Sequence, residues 1–196
     1  MLSIIIPLRE GSSAEVTLRS LASQSFQDYE VILSQDDAAN ANSARNRGYL
    51  MARGEYLLFS DDDIQWKPDA LMLMMEVLRG YSTAAYCYGS YKMADRIYCT
   101  EQFNADLLRR KNYISTMSII RRKFFPGFDE SLERLQDWAL WLDMLNRGHT
   151  GVNCGHLVFE TEKKNTGITF GGKISYQQAE RIVLDKYVRG ASNGVG

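Results

Sequence analysis

The stretch EYLLFSDDDIQWKPD, residues 55–69, runs from a short apolar segment into three consecutive aspartates, and Pro68 then suits the first turn of a helix. The segment EYLLFS (55–60) has the length and composition of a buried strand, so Asp61, Asp62 and Asp63 fall at a strand's carboxyl end. Two carboxylates about 4 Å apart repel by roughly 4 kcal/mol at an effective dielectric of about 20. That is a large penalty for a domain stable by only about 5–15 kcal/mol. A hard divalent cation removes it, because Mg²⁺ and Mn²⁺ favour one or two carboxylates together with phosphate oxygens. The plainer reading of three aspartates is a solvated, capping turn. Their place in the chain argues for the cation, and no calcium-loop glycine or terminal glutamate is in position.

Outward from this stretch, NSARNRGYLMARG (42–54) reads as a helix stopped by Gly54, preceded by a strand EVILS (30–34) that ends at Asp36 and Asp37. SIIIP (3–7) is a β-branched run stopped by Pro7, buried on both faces like EVILS, and Ser12 with Glu15 has capping-box spacing ahead of a first helix. After Pro68, Leu71, Met74, Met75 and Leu78 recur at helical spacing as a core stripe. Three apolar strands separated by two helices predict a parallel sheet with right-handed crossovers, a Rossmann-like α/β unit. Ligands of such sheets bind beyond the carboxyl ends of the strands, where the Pro7–Glu10 turn, Asp36–Asp37 and Asp61–Asp63 all lie.

Beyond residue 80 the order changes. AAYCYGSYKMADRIYCT (84–100) predicts a hairpin, 101–112 a polar helix, and YISTMSIIRR (113–122) a further strand. KFFPGFDESLERL (123–135) reads as a loop. Gln136–Arg147 reads as a helix stopped by Gly148, VNCGHLVFETE (152–162) as a late strand, and SYQQAERIVLDKYV (175–188) as a last helix before a tail. The whole is taken as a single domain, 1–196, with a first half (1–100), a second half (101–190) and a tail (191–196).

Composition narrows the class. The 196 residues are 45% hydrophobic and 24% charged with a net charge of −1, which gives no electrostatic reason to expect nucleic acid as a partner. Cys87, Cys99 and Cys154 are odd in number and scattered, the pattern of reduced thiols in a cytoplasmic protein. No segment has the length of a signal peptide's apolar core or of a membrane span.

SIIIPLRE, TLRSLASQSFQDYEVILSQDD, ARNRGYLMARGEYLLFSDDD and FDESLERLQDWALWL resemble, in that order, the blocks of family 2 glycosyltransferases. The resemblance spans residues 3 to about 150 and is most specific between Ala44 and Asp63. It implies a GT-A fold: a mixed, mainly parallel sheet flanked by helices, with a smaller acceptor-side region. It also implies an inverting, metal-dependent transfer of sugar from a nucleotide-sugar, commonly a UDP-sugar, to a saccharide or lipid-linked acceptor. Asp61–Asp63 match the DxD motif, with Asp63 as the Mn²⁺ or Mg²⁺ ligand and Asp61 or Asp62 at the ribose or a metal-bound water. Pro7 and Arg9 match the turn against the base and ribose, Asp36 the acceptor of a base N–H, and Arg45 a support for the diphosphate. Asp137, in QDWALWL, matches the aspartate that takes the acceptor hydroxyl's proton.

The chain departs from the family in four places. Gln35 stands for the first aspartate of DDGS, Asp37-Ala38 for its Gly-Ser, Glu10 for the asparagine of PxxN, and Gln136 for the acid before Asp137. Glu10 nevertheless remains a substrate-binding candidate by position. Trp138 and Trp141 share a face with Leu142 and Leu145, which is core spacing; Trp138 is the candidate sugar platform of the two. His156 is not assigned to the metal. RRKFF (121–125) is weighed as a contact to anionic lipid or acceptor phosphate against a solvated basic turn. The short acceptor side leaves room for a membrane lipid or a partner subunit. Two other classes stand beside glycosyl transfer: a nucleotidyltransferase, for which PLREGSSAE is a poor phosphate loop, and a non-catalytic nucleotide-sugar binder.

Overall fold

The computed structural model describes residues 1–35, 41–162 and 174–190. Its chain order is β1 (Leu2–Leu8), α1 (Glu15–Ala22), β2 (Tyr29–Gln35), α2 (Ala41–Met51), β3 (Tyr56–Phe59), β4 (Gln65–Trp66), α3 (Ala70–Gly80), β5 (Ala84–Met93), β6 (Arg96–Tyr98), α4 (Ala105–Leu108), β7 (Ile119–Arg121), α5 (Gln136–Asn146), β8 (Thr150–Thr161) and α6 (Tyr176–Leu184). One eight-stranded sheet runs β2-β1-β3-β7-β5-β8-β4, with β6 hairpinned onto β5. β1 is parallel to β2 and β3, as the three apolar runs predict. β7 is antiparallel to both β3 and β5, and β8 is parallel to β5 and antiparallel to β4.

Alternation along β1 divides the core in two. Leu2, Ile4 and Ile6 point into the cluster with α1 and α3, which contains Leu21, Leu71, Met74, Met75 and Leu78. Ile5 points into the opposite cluster with α2 and α5, where Phe59, Trp138, Trp141 and Leu142 meet. α2 sits so close to β1 that a Cβ on Gly48 would lie 2.3 Å from Ile5 Cγ2. A glycine there admits the helix to the sheet.

Several local expectations are corrected. Strand β1 does not stop at Pro7 but runs to Leu8, with Pro7 opposite Ser34 on β2. β2 is an edge strand, half-buried along most of its length, and not a strand covered on both faces. The Ser12–Glu15 capping box does not form: Ala14 is the N-cap of α1, and Ser12 Oγ instead closes a turn onto the backbone N–H and carbonyl of Arg9. A complete capping box occurs at Ser175–Gln178. α2 ends at Met51, before Gly54; a Cβ on Gly54 would lie 2.7 Å from the Ser3 backbone nitrogen, so the glycine serves close chain packing. The helix expected over 101–112 is the single turn α4, and the strand expected over 113–122 shrinks to three residues.

The edge strand is fastened by charge. Glu30 on β2 accepts from Ser3 Oγ at 2.7 Å, from the Arg53 backbone N–H at 2.7 Å, and from Arg53 Nε and Nη2 at 2.9 and 2.8 Å. Burial works against its ionisation, but the bonds from Ser3 and Arg53 outweigh it and bring the carboxyl down to about 2. A depressed carboxyl stabilises the fold above its unfolded value and loses that contribution as pH falls towards 2. Glu30→Gln is therefore expected to lower the thermal midpoint at neutral pH, with the difference from wild type closing between about pH 4 and pH 2. A constant difference across that range would show that the carboxylate's charge is not what fastens the strand.

Candidate active site

Three parallel strands bring the sequence-predicted residues to one edge of the sheet. β3 ends at Phe59, Ser60 N–H donates to the Ile5 carbonyl at 3.0 Å, and the chain turns through Asp61–Asp63, all half-buried. α1 holds this turn. Thr17 Oγ1 donates to the Asp61 carbonyl at 2.9 Å and accepts from Ile64 N–H at 2.9 Å. Ser20 Oγ lies 3.2 Å from the Ile64 carbonyl and accepts from Trp66 N–H at 3.1 Å, while Trp66 Nε1 donates to Ser60 Oγ at 3.1 Å. Thr17 and Ser20 are buried polar residues on an otherwise ordinary amphipathic helix, the one sequence signal that could have marked them.

Arg45 is the hinge of the site. Its side chain is 4% exposed, and Nη2 donates to Asp61 Oδ1 at 2.8 Å. Nη1 lies 3.3 Å from Asn42 Oδ1, the guanidinium stands over the Phe128 ring at 5.4 Å, and Nε is buried with no partner among the described residues. A buried guanidinium nitrogen without an acceptor is costly.

The same face of α2 clasps the loop leading to Asp137. Asn42 Nδ2 donates to the carbonyls of Asp129 and Leu132 at 2.9 and 3.1 Å. Asn46 donates to the Phe128 carbonyl at 2.9 Å and accepts from the Phe128 N–H at 2.8 Å. Asp129 accepts from Lys186 Nζ at 2.6 Å and Tyr187 Oη at 2.8 Å, which ties down the π-helical segment Asp185–Arg189 that continues α6. Burial opposes ionisation of Asp129, yet bonds from Lys186, Ser131 and Tyr187 hold its carboxyl near 2. Asn42, Arg45 and Asn46 are spaced i, i+3, i+4, so one helical face serves both the aspartate turn and the loop leading to Asp137. Sequence reading singled out Arg45 alone of the three.

Asp137 is the second residue of α5, entered through Leu135 in the left-handed region at φ 59°. Such a conformation at a non-glycine residue costs about 1–2 kcal/mol and aims the following turn. Asp137 Oδ1 accepts the Trp138 N–H at 2.8 Å, so the residue does serve the helix start. Burial pushes its carboxyl above the ordinary range, against the opposing pull of a bond from Asn112, the Trp138 N–H and the positive charge of Arg45. Burial and then the charge of Asp137 push the Tyr91 phenol up to about 12. Tyr176, at the start of α6, is raised by burial, Glu180 and Asp137. Asp61 is paired with Arg45, and Arg45, Tyr91 and Tyr176 each share an electrostatic interaction with Asp137.

Other candidates fall differently. Asp36 lies outside the described residues. Pro7 is half-buried at the end of β1, and Arg9 and Glu10 are exposed in the turn that follows. Trp138 is 1% exposed and donates Nε1–H to the Leu108 carbonyl at 2.7 Å, so it is a core residue and presents no face to a sugar. His156 is exposed on β8. Asp61 and Asp63 supply hard carboxylate oxygens suited to Mg²⁺ or Mn²⁺. Among the described residues no group of three His, Cys, Asp or Glu could hold a metal ion by itself. Asp63 and the Asp61 oxygen not held by Arg45 are the donor type that such a cation takes.

Residues 38–127 match the family described as Glycosyl transferase family 2. TuaG of Bacillus subtilis (strain 168) is 25% identical over 143 residues, covering 68% of this chain and 57% of that protein. A Campylobacter jejuni protein named GalNAc(5)-diNAcBac-PP-undecaprenol beta-1,3-glucosyltransferase is 25% identical over 164 residues, covering 67% and 52%. The chain thus spans little more than half the length of these relatives. WfgD of Escherichia coli, named as a UDP-Glc:alpha-D-GlcNAc-diphosphoundecaprenol beta-1,3-glucosyltransferase, is 20% identical over 190 residues, covering 80% and 75%. The crystal structure of S. aureus TarS 1-349 in complex with UDP-GlcNAc superposes with a TM-score of 0.74 at 15% identity, covering 93% of this chain and 65% of that one. The fold is GT-A.

Proposed function

With residues 38–127 placed in glycosyltransferase family 2, we propose that this chain moves a sugar from a nucleotide-sugar, a UDP-sugar by preference, to an acceptor hydroxyl with inversion. The observation that carries the reading is Arg45: its guanidinium holds Asp61 beside the turn and its charge reaches Asp137, so one buried cation links the aspartate turn to the start of α5. Arg45 would hold Asp61 in place and lend its positive charge to the diphosphate, while Asp63 and Asp61 would hold Mn²⁺ or Mg²⁺. When bound, the cation neutralises the departing diphosphate.

Asp137 works on the acceptor. Its carboxylate takes the proton of the acceptor hydroxyl as that oxygen forms a bond to the anomeric carbon. The bond from that carbon to the phosphate oxygen breaks, and its electron pair leaves with the nucleoside diphosphate. Attack from the face opposite the leaving group inverts the centre. Burial keeps the carboxyl basic enough for this task. The names of the Campylobacter and Escherichia relatives support a lipid-diphosphate acceptor. No described helix is long and apolar enough to cross a membrane. Contact with such an acceptor would then be peripheral, and the three free cysteines suit the reducing cytoplasm. We take residues 1–196 as one catalytic domain.

Thermal unfolding across a nucleotide-sugar panel, with and without Mn²⁺, tests the donor site. The true donor at about 100 times its dissociation constant is expected to add about 2.7 kcal/mol, only with the cation present. Release of free nucleoside diphosphate supports transfer and release of pyrophosphate supports nucleotidyl transfer. Binding without release leaves a non-catalytic binder. No cation-dependent stabilisation by any sugar nucleotide would overturn the donor site.

A further inference from the structure

A second groove lies at the other end of the sheet from the aspartate turn. β3 starts at Tyr56 and delivers Asp61–Asp63 beyond Phe59, whereas antiparallel β7 ends at Arg121, paired with Tyr56. The groove encloses about 630 Å³ between Tyr49, Glu55, Tyr56, Arg121, Arg122, Lys123 and Phe125, a volume within the range of small-ligand pockets. Three cations therefore face one carboxylate. None of the three forms an ion pair among the described residues.

The cations are preorganised. Arg121 is locked: Nε donates to the Ala84 carbonyl at 2.9 Å, Nη2 to the Leu78 carbonyl at 2.6 Å, and Nη1 to Tyr56 Oη at 3.3 Å. The Arg122 guanidinium stands over the Tyr49 ring at 5.5 Å, and Lys123 Nζ over the Phe124 ring at 4.7 Å. Aromatic faces hold the two heads in place while leaving their N–H donors unspent on carboxylates. The backbone supports the same turn, since Arg122 N–H donates to the Glu55 carbonyl at 2.8 Å. Adjacent arginine and lysine heads of this kind suit a phosphate, the arginine by a two-pronged contact and the lysine as a point charge.

We propose that this groove is a phosphate-binding site, distinct from the donor site, in which Arg122 and Lys123 hold the anion and Tyr49 and Phe125 wall its apolar portion. The phosphate could belong to a soluble ligand or to a lipid headgroup, and the chemistry at the protein is the same. The site does not depend on glycosyl transfer.

The test uses the full chain in EDTA, so that cation-dependent binding at the aspartate turn is silent. Inorganic pyrophosphate is titrated by calorimetry, and sedimentation is followed with vesicles of phosphatidylglycerol in phosphatidylcholine against phosphatidylcholine alone. The expected result is binding of pyrophosphate, of the anionic vesicles or of both, weakened at least about tenfold in Arg122→Gln/Lys123→Gln. Pyrophosphate alone identifies a soluble ligand; vesicles alone identify a headgroup. Glutamine keeps most of each stem, and an unchanged thermal midpoint shows that the double variant is folded; if it is not, Lys123→Gln alone replaces it with the same direction expected. Absence of binding to both probes, or equal binding by wild type and the folded variant, overturns the proposal.

Discussion

Asp137→Asn is expected to lower turnover by roughly 10²–10⁴-fold with donor affinity nearly intact. Asparagine is close in shape, and its Oδ1 can still accept the Trp138 N–H that Asp137 accepts at 2.8 Å. What it lacks is basicity. The stability of the variant gives a second readout of opposite sign. The Asp137 carboxyl titrates above its ordinary value because it is buried, so ionising it costs the folded state, and stability falls as pH rises through the folded value. The neutral amide removes that cost. Asn112 Oδ1 is buried without a partner among the described residues, and an amide flip there would let it accept from the new Nδ2. The variant should therefore be at least as stable as wild type at neutral pH while nearly inactive, the trade-off expected where a residue serves chemistry. In the wild type, turnover should climb with pH through the raised value of Asp137. Normal turnover in Asp137→Asn removes the residue from the mechanism; lost activity with a lower melting point would make it a helix cap.

Trp141→Ala carries the largest effect on stability. The indole is fully buried, stacks on Tyr86 at 4.4 Å between centroids and donates Nε1–H to the Ile114 carbonyl at 2.9 Å. Deleting it leaves a cavity and an unpaired carbonyl, for an expected cost of about 3–5 kcal/mol. That is enough to unfold much of a domain of ordinary stability. Trp141→Phe keeps a ring against Tyr86 and loses the donor, so it should cost about 1–3 kcal/mol. Urea denaturation measures both. A loss under 1 kcal/mol for the alanine variant would show that the α5 face repacks freely and that this tryptophan does not hold α5 to the sheet.

These two residues also show how far the sequence could be read. Trp141 lay on a helical stripe with Leu142 and Leu145, and periodicity alone placed it in the core. Trp138 lay on the same stripe, and offering it to a sugar went against that periodicity; its burial and its bond to the Leu108 carbonyl decide for the core. The parallel order of β1, β2 and β3 was legible because each is an apolar run with a helix between. The two-residue β4 was not, since a segment so short has no period, and the strand read over 113–122 was found in place but only three residues long. Nor could β2 be recognised as an edge: an apolar run says that a strand is partly covered, and only the neighbours say on which sides.

The carboxyl-end placement of Asp61–Asp63 and the helix-start position of Asp137 follow from local pattern, because strand ends, glycine stops and helical spacing are properties of neighbouring residues. The pairing of Arg45 with Asp61, the clasp of Asn42 and Asn46 on residues 82 to 90 positions away, and the burial that makes Asp137 basic belong to the tertiary structure alone. Such contacts depend on which faces the sheet and helices bring together, and a polar side chain carries no local mark of the distant carbonyl it will meet.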